Sequence, residues 1–128
     1  MRTEAEGWWE QAESDLKAAQ VVLEVGQYFV CAFLCQQAVE KAFKALWIQR
    51  FKEMPPKTHD LVALSEKLNV PRRLESAILR INPAYATARY PDAANGLPAR
   101  AFNQEVASAH IRDAQEVFSW CRNELGLS

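Results

Sequence analysis

All six prolines of this 128-residue chain, at positions 55, 56, 71, 83, 91 and 98, fall between residues 55 and 98. Proline lacks an amide donor and clashes with the preceding helical turn, so long helices belong in the two flanks. Gly26, followed by Gln27, divides the first flank, because glycine past a last helical turn takes the left-handed conformation cheaply. The pattern predicts one helix from about Glu4 to Val25 and a second from about Tyr28 to Phe51. On the first, Trp8, Ala12, Leu16, Ala19 and Leu23 recur at steps of three and four and form the expected buried stripe. The second opens with eight uncharged residues, Tyr28 to Cys35, apolar round most of its circumference. It is therefore expected to be central. Farther along, Val39, Phe43, Leu46 and Trp47 are expected inward, and Glu40, Lys41 and Lys44 outward.

Inside the proline-rich segment the elements shorten. Pro55-Pro56 ends the second helix, and Thr58 or Asp60 can cap a short helix bearing Leu61, Leu64 and Leu68. Pro71 suits the first turn of another, with Leu74, Ile78 and Ile81, up to Asn82-Pro83. Periodicity then disappears. Residues Ala84 to Ala101 read as turn and loop, with Arg89-Tyr90-Pro91-Asp92 and Asn95-Gly96-Leu97-Pro98 as punctuation. Asn103 can cap a last helix with the stripe Val106, His110, Asp113 or Ala114, Val117, Cys121 and Leu125, ended by Gly126. No period-two strand and no internal repeat interrupts the pattern. The expectation is a single domain over residues 1–128, all-α, an up-and-down bundle of about five helices. The all-round apolar start of the second helix exceeds what a small bundle buries, which predicts a homodimer.

Charge and cysteine usage narrow the class. Residues 1 to 40 carry two basic and seven acidic side chains, 41 to 100 eleven and five, and 101 to 128 two and four. The middle is thus basic between acidic ends, a distribution suited to phosphate or to a solvated surface. The uncharged stretch running from Val25 up to Glu40 is shorter than a bilayer requires and carries Gly26, Gln27, Gln36 and Gln37. A membrane protein is therefore not expected. The acidic N-terminus differs from a secretory signal, so a cytoplasmic location is expected. Three cysteines give neither a complete disulfide framework nor a zinc ligand set, and no metal or cofactor is expected.

Four blocks occur in order: Trp9-Glu10-Gln11-Ala12-Glu13-Ser14-Asp15-Leu16, Cys35-Gln36-Gln37-Ala38-Val39-Glu40-Lys41-Ala42-Phe43-Lys44-Ala45-Leu46, Thr58-His59-Asp60-Leu61 and Ala88-Arg89-Tyr90-Pro91-Asp92. Together they resemble the HEPN domain family over nearly the whole chain. The resemblance implies a four-to-five-helix bundle that dimerises, is often encoded beside a minimal nucleotidyltransferase, and is associated with nucleotide binding. It also implies toxin-antitoxin or defence systems, in which many members are metal-independent ribonucleases. That branch carries an arginine, four to six intervening residues and a histidine, which would move a proton while the arginine stabilises charge on the phosphate. Here the positions after Arg89 hold Ala94, Asn95 and Gly96, and those before His59 and His110 hold Lys52 to Met54 and Asn103 to Glu105. The ribonuclease motif is absent.

The candidate residues follow from type and placement. Arg89, Tyr90 and Asp92 lie on a proline-flanked loop: the arginine can take phosphate bidentately, the tyrosine can stack on a base, and the aspartate can accept from ribose hydroxyls. Their structural reading is a corner in which Arg89 pairs with Asp92 and Tyr90 packs. In related toxin branches a tyrosine near the ribonuclease motif accepts an adenylyl group, which the resemblance would assign to Tyr90. His59 reads either as a helix-entry residue or as an imidazole reaching phosphate, and His110 as a core or interface histidine. Lys41 and Lys44, with Arg50 and Lys52, read as a solvated face or as phosphate contacts. The leading reading is a non-catalytic nucleotide- or RNA-binding homodimer that partners a nucleotidyltransferase. The alternatives are a divergent ribonuclease using His59 or His110 with Arg89, and a helical interaction scaffold without a nucleotide ligand.

Overall fold

The computed structural model describes residues 1–127. Among the described residues every regular element is helical: α1 (Thr3–Glu24), α2 (Tyr28–Phe51), α3 (Leu61–Leu68), a 3-10 turn at Arg72–Leu74, α4 (Glu75–Ile81), α5 (Ala84–Thr87), α6 (Pro91–Ala94), α7 (Pro98–Ala101) and α8 (Gln104–Glu124). α1 and α2 pack along each other as a hairpin, and α2 also meets α8, α3, α5 and α7, which makes it the central element. Gly26 closes the hairpin turn at φ 81°, the left-handed conformation that glycine adopts without a Cβ penalty.

Asp60 caps α3 by accepting from the Val62 amide, and Asn103 caps α8 by accepting from the Val106 amide, each satisfying one donor that the helix start leaves free. The core runs through Trp9, Phe43, Leu46, Leu61, Leu64, Leu68, Leu74, Ile81, Val117 and Phe118, with Trp9 and Phe118 rings 5.2 Å apart. A second small cluster of Ala32, Ala84 and Ala88 lets α5 approach α2 closely, flanked by Phe33 and Phe102.

Several expectations shift. The buried stripe of α1 is Ala5, Trp9, Ala12, Asp15 and Ala19, so Trp9 rather than Trp8 enters the core, while Leu16 and Leu23 are half-buried. Trp8 instead flanks α2, its ring beneath the Lys44 ammonium at 5.6 Å. On α8, Val106 is exposed because the helix meets the core only from Ala107 onward, and Leu125 past the helix end is half-buried. The expected loop from Ala84 to Ala101 holds three single helical turns. Pro91 and Pro98 open two of them, a position where a fixed φ helps and a missing donor costs nothing.

Glu40 and Lys44 depart most from expectation. Instead of projecting into solvent they are 4% and 5% exposed, and Lys41 is half-buried. α1 lies over this part of α2, so the face that sequence alone leaves free is covered. No described helix is long and apolar enough to cross a membrane.

Candidate functional site

Residues 36, 37, 40, 41 and 44 fall on one face of α2, because steps of three and four return to the same side of a helix. Their side chains form a continuous hydrogen-bonded ladder. Gln11 Nε2 donates to Asp15 Oδ1 at 2.8 Å, and Lys41 Nζ donates to Asp15 Oδ2 at 2.6 Å and to Gln37 Oε1 at 3.2 Å. Gln37 Nε2 donates to Gln36 Oε1 at 2.7 Å; Gln36 Nε2 reaches Glu40 Oε1 at 3.4 Å and the His59 carbonyl at 3.0 Å. Lys44 Nζ donates to Glu40 Oε2 at 3.1 Å, and His59 Nδ1 lies 3.0 Å from Glu40 Oε1. The buried Glu40 carboxylate therefore meets three donors, which is how a buried charge avoids an uncompensated desolvation cost.

The connector carrying His59 is pinned where it enters α3. Thr58 Oγ1 accepts from the Asp60 amide, Asp60 Oδ1 accepts from Asn82 Nδ2 at 3.2 Å, and Asn82 Oδ1 accepts from the Leu61 amide at 2.8 Å. The His59 ring meets Tyr85 of α5 edge-on, with centroids 3.9 Å apart. Arg89 follows α5 and lies over the same tyrosine: its Cζ is 4.9 Å from the centroids of Tyr85 and Tyr90 and 5.2 Å from that of Phe33. No carboxylate pairs with Arg89 among the described residues. Aromatic contacts of this kind hold a guanidinium without neutralising its charge.

The structure thus sorts the residues singled out by sequence. His59 and Arg89 both meet Tyr85, Tyr90 meets Arg89, and Asp92 is exposed in the first turn of α6. The Arg89–Asp92 pair of the structural alternative is not formed; the guanidinium meets aromatic rings instead. Lys41 and Lys44 are occupied by Asp15 and Glu40, and Arg50 by Glu124 and the Leu68 carbonyl. His110 is buried, its Nδ1 donating to the Val106 carbonyl at 3.0 Å and its ring edge-on to Phe102. Burial holds its pKa below the ordinary value, an effect that the Val106 carbonyl and Asp113 partly oppose. Sequence reasoning missed Gln36, Glu40, Asp15 and Tyr85. The signal available for the first two was the four-residue step linking positions 36, 40 and 44 on a largely apolar helix.

Cys31, Cys35 and Cys121 are buried free thiols; Cys31 Sγ approaches the Ala107 carbonyl at 3.8 Å and so links α2 to α8. Among the described residues no group of three His, Cys, Asp or Glu is placed to hold a metal ion.

The family model of the HEPN domain matches residues 5–124. The chain belongs to the HEPN family. This HEPN domain is similar to TT1696 from Thermus thermophilus, with 30% identity, 96% of this chain and 99% of that chain covered, and a TM-score of 0.87. It is also similar to ST0689, an archaeal HEPN homologue, with 28% identity, coverage of 98% and 99%, and a TM-score of 0.80. No protein of curated function matches it.

Proposed function

We propose that this HEPN domain is a non-catalytic nucleotide- or RNA-binding protein, homodimeric and cytoplasmic, that serves as partner subunit of a minimal nucleotidyltransferase in a toxin-antitoxin or defence type system. The observation that carries the binding reading is Arg89. Its guanidinium lies on three aromatic rings with no carboxylate partner among the described residues, so its charge is available to a phosphate while Tyr90, 45% exposed, offers a stacking face. Lys41 and Lys44 drop out of the proposed ligand set, because Asp15 and Glu40 already neutralise them. The dimer reading is supported by α2, where Tyr28, Phe29, Val30, Phe33 and Leu34 are only half-buried within one protomer.

The test is an equilibrium titration of AMP, ATP and a short RNA against the wild type and Arg89→Ala, at low and high salt, with the protomer count read by light scattering. Saturable, salt-sensitive binding that weakens at least tenfold in the variant is the expected outcome. Equal affinity for both proteins removes Arg89 from the site. A second reading, metal-independent RNA cleavage by His59 with Arg89, is favoured by their sharing of one tyrosine ring. Intact RNA after long incubation with EDTA disposes of it.

A further inference from the structure

We infer that α1 is the contact helix of the homodimer: two copies pack antiparallel about Ser14, each seating its exposed valines in the groove that the other opens at Gly7. The inference rests on the homodimer reading and names the face that makes it.

The two ends of α1 differ in a complementary way. Near its start, Gly7, Trp8 and Gln11, with Glu4, Lys41 and Met54, line an open groove of about 420 Å³ whose walls are mostly apolar. Near its end, Val21 and Val25 stand in solvent, 54% and 69% exposed. Glycine inside a helix is destabilising relative to alanine. A Cβ at Gly7 would meet nothing within 4 Å, so packing inside the protomer does not call for glycine there. The missing side chain widens the groove instead.

Seven residues are close to two turns, so Gly7, Ser14 and Val21 share one face of α1, and Gln11, Ala18 and Val25 fall on it between them. None of these residues is charged, and the face lies away from the core residues Ala5, Trp9, Ala12 and Ala19. Lys41, which borders it from α2, is already neutralised by Asp15, and the row of Lys41 runs on through the half-buried Leu34 and Val30. Gly7 and Val21 are equally far from Ser14. A two-fold axis at Ser14 therefore brings Val21 of each copy opposite Gly7 of the other, with Val25 beside it. Hollow meets knob twice, the self-complementarity that an isologous interface requires. Charge selects the same direction. Lys17 and Glu10 are exposed on one flank of the face and form no ion pair among the described residues, and antiparallel packing sets each Lys17 beside Glu10 of the second copy. Parallel packing would set glutamate against glutamate and valine against valine, leaving both grooves empty. Glu6, Glu10, Glu13 and Glu24 along that flank also repel a nucleic-acid occupant.

Ser14→Cys in the full chain tests the axis. The native cysteines are buried, so the new thiol is the accessible one. Mild oxidation is expected to give a covalent dimer on a non-reducing gel, while Ser119→Cys, at an exposed position of α8, gives none. Gly7→Cys and Val21→Cys are each expected to resist self-crosslinking, because equivalent positions of the two copies lie about 21 Å apart along the helices, and to crosslink with one another when mixed. Gly7→Glu tests the groove. Glutamate suits an exposed helix position, so the protomer keeps its fold by circular dichroism, while the dimer dissociation constant, from a dilution series in light scattering, rises at least tenfold. A wild-type dimer with no Ser14→Cys crosslink, or with a dissociation constant that Gly7→Glu leaves unchanged, overturns the inference and leaves a homodimer through another face. A wild type that is monomeric at every concentration overturns both.

Discussion

Arg80 grips Asp113 through two parallel bonds, Nε to Oδ2 and Nη2 to Oδ1, both 2.8 Å, and so ties α4 to α8. Asp113 is buried while the Arg80 side chain is 57% exposed, so the carboxylate is the member that depends on the pair. Arg80→Met leaves Asp113 without its donors, and water entering from the exposed side limits the loss to about 1 kcal/mol. Urea unfolding measures it, and Asp113→Asn with Arg80→Met recovers part of it.

The Glu40–Lys44 pair behaves differently because both members are buried. Glu40→Ala leaves a buried ammonium uncompensated and is expected to destabilise by about 3–5 kcal/mol. Removing both charges in Glu40→Leu/Lys44→Met is expected to restore most of that loss. A double-mutant cycle in urea gives the coupling, and near-zero coupling would mean that the two charges act independently.

His110 makes stability depend on pH. Its pKa is held below the ordinary 6.5, chiefly by burial, so the unfolded chain binds the proton more readily than the folded one. The stability contributed by the neutral imidazole is therefore complete above 6.5 and is lost as pH falls through the lowered folded value. Urea midpoints at successive pH values should decline over that window in the wild type and decline less in His110→Gln. Identical profiles would show that other groups govern acid sensitivity.

The Cys31 side chain and then burial raise the Cys35 thiol pKa, and burial raises that of Cys121, while the Cys35 side chain lowers that of Cys31, which is itself wholly buried. A thiol reagent at about pH 8 is expected to leave all three unmodified in the folded protein and to count three after guanidinium unfolding. Rapid labelling of one thiol in the native state would contradict the packing of α2 against α8.

Proline placement and three-to-four spacing located α1, α2, α3, α4 and α8, because each long helix leaves its period in the chain. α5, α6 and α7 are single turns, too short to show a period, and so read as loop. Residue type alone singled out His59 and Arg89 as candidates, and the structure brings both to Tyr85. The ladder was not, since Lys41 meets Asp15 across 26 residues and His59 meets Glu40 across 19. The Glu40–Lys44 spacing is visible in sequence, but its burial follows from α1 lying over it.

The two turns of α2 that present the polar ladder also carry Val39, Phe43 and Leu46 into the interior. A single-residue insertion there would rotate everything beyond it by about 100°. Polar ladder and aliphatic filling would lose register in one step. Substitutions can retune the polar face of this protein, but length changes in its middle helix are closed to it.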